Sequence, residues 1–183
     1  MTAPVTKSRN LIERYQDYRS RRFLKHERAW SHRLPRWRVQ RRRRLLVIGL
    51  ALALSLMVLT GVLCAFGMQS AALLWLPACA LFFPLWIALQ IVSGRQGDAP
   101  RAALDEFEIA QRDSARSIGL TLTQYLTLVP IFYLIIGSTQ FPSSDLAYAG
   151  GLLALAAVLI GGCAPAMILA WTRPDPEPDN VAT

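Results

Sequence analysis

Two long stretches of the chain are almost free of ionised side chains: residues 45–94 have none, and residues 117–172 have only Asp145. A helix crossing a hydrocarbon layer of ~30 Å needs ~20 apolar residues, because lipid offers no partner to exposed backbone groups. Each stretch holds two such lengths. The first breaks at Gly67-Met68-Gln69-Ser70, and the second over residues 137–145, where Pro142, Ser143 and Ser144 interrupt the apolar run. The pattern predicts an all-α membrane protein with four transmembrane helices at 45–66, 71–92, 118–136 and 147–171. These group as two hairpins, residues 45–94 and 118–171.

Outside the hairpins the pattern changes. Asp98-Ala99-Pro100 reads as a helix start, and acids follow it in the first turns. A helix over 100–116 puts Ala103, Leu104, Phe107, Ala110 and Ser114 on one face and Asp105, Glu108, Arg112 and Arg116 on another. Glu108 and Arg112 form an i,i+4 pair in the favourable order, worth ~0.3–0.5 kcal/mol. Residues 95–117 are thus expected to be an amphipathic cytoplasmic helix that meets the interface or a partner through Leu104 and Phe107. In the arm, residues 1–44, apolar and aromatic positions at helical spacing predict a helix over 8–34, ended by Pro35. Residues 172–183 read as a disordered, acidic, Pro-rich tail.

Composition sharpens this picture. The chain has 183 residues, 53% hydrophobic and 17% charged, and soluble domains carry ~25% charge. Fifteen of its 20 Lys and Arg lie in residues 1–44 beside three acids, so a net +12 sits in the arm while the whole chain carries +8. Cytoplasmic flanks collect Lys and Arg. Arg41-Arg42-Arg43-Arg44 abut the first span, four arginines lie between the second and third, and Arg173 follows the fourth. The two opposite loops have no Lys or Arg. Both termini are therefore expected in the cytoplasm. The arm is too long for a signal n-region, and Leu63 before Cys64 does not fit a lipoprotein cleavage site. Arg over Lys, with Ala and Leu abundant, points to a high-GC bacterial source and so to an inner membrane.

Chemistry is sparse by comparison. His26 and His32 lie in the arm, so no span carries a histidine to ligate a haem axially, and no cofactor, metal or catalytic set is expected. Asp105, Glu106 and Glu108 could hold a divalent cation or act as acid and base, but a solvated helix face is the favoured reading. Gln90 and Gln124 lie ~6 Å and ~10 Å inside their spans at the helical rise and are expected to hydrogen-bond across helices. In span 4, Gly150, Ala154, Ala157, Gly161 and Ala164, preceded by Ala147, form a small-residue seam for helix packing, within the chain or with another subunit. Trp75, Phe82 and Trp86 share a face of span 2, among Pro77 and Pro84 that should bend it. That face meets lipid or forms a hydrophobic groove for a quinone, a prenyl chain or a neighbouring subunit. Trp37 and Arg41, Arg42, Arg43 and Arg44 are expected to contact anionic headgroups or a partner, with nucleic acid disfavoured because the arm is tethered to a bilayer. Cys64, Cys79 and Cys163 read as small packing residues.

Leu104-Asp105-Glu106, then Glu108, then Arg112-Asp113 with Ala115, resembles the "LDE…E…RD.A" segment of small uncharacterised actinobacterial four-span membrane proteins with a basic N-terminus. Phe107 stands where such segments often have Arg. The resemblance implies the four-span layout and no established reaction. The expected function is a non-enzymatic accessory or scaffold subunit of a membrane complex. The alternatives are a small oligomeric transporter or channel using the Thr121, Thr123, Gln124, Tyr125 and Thr127 face of span 3, and an interfacial enzyme using the three acids.

Overall fold

The computed structural model describes Tyr18 and residues 39–93, 105–140 and 144–172. The arm helix apart from Tyr18, which is helical, together with His26, His32, Trp37, Leu104 and the tail beyond Thr172, lies outside the described residues; Thr172, expected to open the tail, is still helical. The described chain is all-helical, with four helices long and apolar enough to cross a membrane, as in a multi-pass membrane protein. They are α1 (Gln40–Ala65), α2 (Trp75–Val92), α3 (Glu106–Gln140) and α4 (Ser144–Thr172), with a 3₁₀ segment at Gln69–Leu74 ahead of α2.

The boundaries differ from the sequence expectation for local reasons. α1 begins at Gln40, so the four arginines lie inside its first turns rather than before it. It ends where Gly67, at φ 86°, takes the left-handed conformation. There the Gly67 N–H donates to the Cys64 carbonyl at 3.0 Å and the Met68 N–H to the Leu63 carbonyl at 3.1 Å, which is a Schellman stop. Span 2 does not start as one α-helix at residue 71. The 3₁₀ segment takes the chain to Trp75 first. Pro77 then falls in the first turn of α2, where its missing N–H has no intrahelical acceptor to lose. Only Pro84 interrupts the ladder of α2.

The helix expected from Pro100 is not helical at Asp105, and α3 starts one residue later. From there it runs unbroken for 35 residues through the expected third span. Extending a formed helix adds one hydrogen bond per residue fixed, so nothing at the membrane boundary forces a break. The same holds at its far end, where Ser138 and Thr139 hydroxyls donate back to the Ile135 and Ile136 carbonyls at 2.9 and 2.8 Å. The loop expected over residues 137–145 shrinks accordingly, because α4 already begins at Ser144.

The helices form an open layer in the order α2, α1, α4, α3. α4 packs most extensively on α3 and next on α1, α1 packs on α2, and α2 barely reaches α4. Neighbours run antiparallel. The starts of α1 and α3 and the ends of α2 and α4 therefore share one end, here the basic end. The main core lies between α1, α2 and α4 and includes Leu50, Met57, Phe82, Leu89, Ala156, Cys163 and Ala170. Cys64 and Cys163 are buried and Cys79 half-buried, all as free thiols.

Candidate functional site

α4 is the hub of the layer, and its small residues explain how two helices approach it at once. On one side Gly161 lies against Thr123 of α3, Gly150 against Leu134, and Pro165 against Gly119. A Cβ on Gly161 would come within 2.8 Å of the Thr123 Cα, and one on Gly119 within 3.0 Å of the Gly161 carbonyl oxygen. Pro165 has no N–H to bond that carbonyl four residues back, which leaves the oxygen toward α3. The seam of Gly150, Ala157, Gly161 and Ala164 is thus buried within the chain, with Ala154 half-buried, whereas Ala147 at its start is exposed. A second stripe of strict seven-residue spacing, Ala149, Ala156, Cys163 and Ala170, is fully buried. The last three join the core shared with α1. A third face, with Tyr148, Gly151, Leu155, Val158 and Gly162, points outward.

The aromatic face of α2 turns toward the core, with Trp75 and Trp86 half-buried. Phe82 is 5% exposed and belongs to the core, and Trp75 and Trp86 pack against it. Phe82 stacks on Trp86 with centroids 6.3 Å apart and planes 8° from parallel. The interior thus takes Phe82 and part of the surface of the two tryptophans, whose face the sequence pattern predicts to meet lipid or form a groove.

Gln90 and Gln124 are not brought together. They sit on α2 and α3, the two outer helices, with α1 and α4 between them, and Gln124 is exposed. Nearby hydroxyls in α3 turn to their own helix: Thr123 donates to the Gly119 carbonyl at 2.7 Å and Thr127 to the Thr123 carbonyl at 2.8 Å. Back-bonding of this kind is the local alternative open to Ser and Thr in apolar surroundings.

The basic end gathers the charged chemistry. Four cations in the first turns of α1 oppose the helix dipole, so their surroundings rather than the helix hold them there. Arg41, Arg42 and Arg44 are exposed, but Arg43 is 2% exposed. The Arg44 guanidinium lies 5.0 Å from the centroid of the Trp171 ring at the end of α4, within range for a cation–π contact. Gln111 of α3 donates to the Thr172 hydroxyl at 2.8 Å. Arg112, 4% exposed, lies with its Nε 3.5 Å from Asp113 Oδ1. The residues of α3 that turn inward here are therefore Arg112, Ala115 and Gly119, while Phe107, at 74% exposure, and Ala110 and Ser114 face out. Burial of the Arg43 stem predicts that Arg43→Ala lowers thermal stability in detergent by about 1–2 kcal/mol. Arg42→Ala should change it by less than about 0.5 kcal/mol.

The acidic cluster begins α3. The Glu106 N–H donates to Asp105 Oδ1 at 2.7 Å, and the Asp105 N–H points to Glu108 Oε2 at 3.4 Å. Glu108, three residues after Asp105, thereby makes the return half of a capping box, while Asp105 takes the N–H of Glu106 instead of that of Glu108; the D-x-x-E spacing marks this helix start. At the far end, an open depression of about 520 Å³ is lined by Cys64, Tyr133, Gly137, Asp145 and Leu146 among others. Asp145 accepts a hydrogen bond from Gln69 Nε2 at 2.6 Å, which ties the first hairpin turn to the start of α4. Comparison with protein-family models, curated proteins and solved structures gave no match to this chain.

Proposed function

We propose that this protein is a non-enzymatic accessory or scaffold subunit of a bacterial inner-membrane complex, with both termini on the cytoplasmic side. The observation that carries the reading is the open helix layer. A closed four-helix bundle buries its small-residue seams and presents lipid with one continuous surface. Here α1 and α4 use up the packing surfaces, and α2 and α3 stand at two lateral edges with long apolar faces outward, including Leu76, Phe83 and Ile87 on α2 and Val129, Phe132 and Ile136 on α3. Lateral edges of this kind suit a unit inserted between other membrane subunits.

The Lys/Arg distribution supports the orientation. The exposed Arg41, Arg42 and Arg44 are placed for anionic headgroups, each worth about 1 kcal/mol near such a surface. That neighbourhood also offsets the unfavourable dipole at the start of α1. The outward Phe107 belongs to the same end and suits an interface or a cytosolic partner. Membership of the actinobacterial four-span group is part of the same proposal. The test is in-cell crosslinking followed by purification in mild detergent and mass spectrometry. The proposal expects stoichiometric recovery of at least one other membrane protein, and recovery of this chain alone would overturn it.

A further inference from the structure

One stripe of α3 is exposed along its whole length: Thr121, Gln124, Leu128, Ile131, Ile135 and Ser138. Their spacing alternates three and four residues, the pattern of a seam that stays on one side of a helix. It covers 17 residue steps, about 26 Å at the helical rise, close to a full hydrocarbon thickness.

Gln124 is the feature that gives this stripe an occupant. It lies eight residues, about 12 Å along the axis, beyond Arg116, the last ionised side chain of α3. Its backbone carbonyl accepts a 3.0 Å hydrogen bond from the Thr127 hydroxyl. Its side-chain amide has no hydrogen-bond partner among the described residues. Ser and Thr at such depth can turn to their own carbonyls, as Thr123, Thr127 and Ser138 do. A primary amide has two donors and an acceptor oxygen and cannot satisfy them on its own helix. In hydrocarbon an amide in this state is costly until another chain supplies the complementary groups.

We infer that the outer face of α3 is the contact between two copies of this chain, centred on a hydrogen-bonded pair of Gln124 amides. A second copy is complementary to this face in chemistry and in depth. An amide is its own complement, donating an N–H and accepting at its carbonyl. Two copies inserted with the same orientation are related by an axis along the membrane normal, so every residue of α3 meets its counterpart at equal depth. The seam then pairs as parallel helices, with Gln124 as the one strongly polar core position that sets register, while Leu128, Ile131 and Ile135 pack beyond it. α3 is the helix least covered by its own chain, with 11% of its most apolar window buried against 44% for α1, so the face is sterically open.

The inference stands independently of the accessory-subunit reading, because its test contains only this protein and lipid. Full-length protein carrying donor or acceptor fluorophores at the C-terminus is reconstituted into phosphatidylethanolamine–phosphatidylglycerol vesicles, and energy transfer is followed as lipid is added. The wild type is expected to give a reversible dimer curve. Gln124→Leu should weaken association roughly 3- to 30-fold, the range that interhelix hydrogen bonds in membranes span. Val129→Leu, on another outward face of α3, should leave it unchanged. Because both side chains are exposed, neither change disturbs the α3–α4 contact, and unchanged helix content by circular dichroism verifies this. A wild type that stays monomeric at every protein-to-lipid ratio overturns the inference, as does Gln124→Leu associating as tightly as wild type, or Val129→Leu weakening association as much.

Discussion

Gly161→Leu is expected to part α3 from α4 and to lower stability by about 3 kcal/mol or more, the upper end of what overpacking costs. The size follows from what the new side chain meets. A Cβ at this position already falls on the Thr123 hydroxyl and lies 2.6 Å from the Thr123 Cβ and 2.8 Å from its Cα. A flexible side-chain end can swing aside, but a Cα moves only with its helix, so the two axes must separate. Gly161→Ala should show the same effect at about 1–3 kcal/mol. The control is one residue away. Gly162 has nothing within 4 Å of a Cβ, so Gly162→Ala should be neutral or stabilise by up to about 1 kcal/mol through helix propensity. Thermal unfolding of the three variants in one detergent checks this, and equal stability of Gly161→Ala and Gly162→Ala would show that α4 does not meet α3 in this register.

Ala156→Leu acts on the other side of the same helix. Ala156 is fully buried and belongs to the core between α1 and α4. Three added carbons there should cost about 1–3 kcal/mol and loosen the joint between the two hairpins while leaving each hairpin formed. Hydrogen exchange should then rise where α1 faces Ala156, near Met57 and Thr60, with α3 little changed. Leu155→Phe, on the outward face, should leave both exchange and unfolding as in the wild type. If α3 loosened instead of α1, the assignment of the Ala149, Ala156, Cys163 and Ala170 stripe to α1 would fall.

Both effects depend on shape more than on transfer from water. Between helices in lipid there is little hydrophobic gain, because the acyl chains are as apolar as the side chains they replace. Close backbone approach, and the dispersion contacts it permits, carry the association. That is why glycines and alanines, rather than the larger apolar residues, decide how α4 sits.

The Gly150–Gly161 seam was legible because small residues at alternating three- and four-residue spacing form one stripe in any helix. The stripe from Ala149 to Ala170 has an equally regular period, yet it went unread. In a helix this rich in Ala and Gly, small residues also fall on the outward face, as at Gly151 and Gly162, so size alone does not name the neighbour. The four arginines show the same limit. Identical side chains at 41–44 step ~100° around a helix, and only the position of the neighbouring helices decides that Arg43 goes inward. The depths of Gln90 and Gln124 could be counted from the sequence, but their lateral separation could not. A depth is set along the bilayer normal, whereas helix order within the plane is set by which seams interlock.

By itself the sequence determined the number and rough limits of the apolar helices, because a bilayer requires long stretches without ionised groups, and those are visible residue by residue. It also determined the concentration of positive charge in residues 1–44. The tertiary structure decided the order α2, α1, α4, α3, the inward turn of Phe82, Arg43 and Arg112, and the outward turn of Gln124. Those outcomes depend on contacts between residues far apart in the chain, where a few ångströms of backbone approach at Gly119 and Gly161 select one arrangement among several with the same hydrophobic pattern.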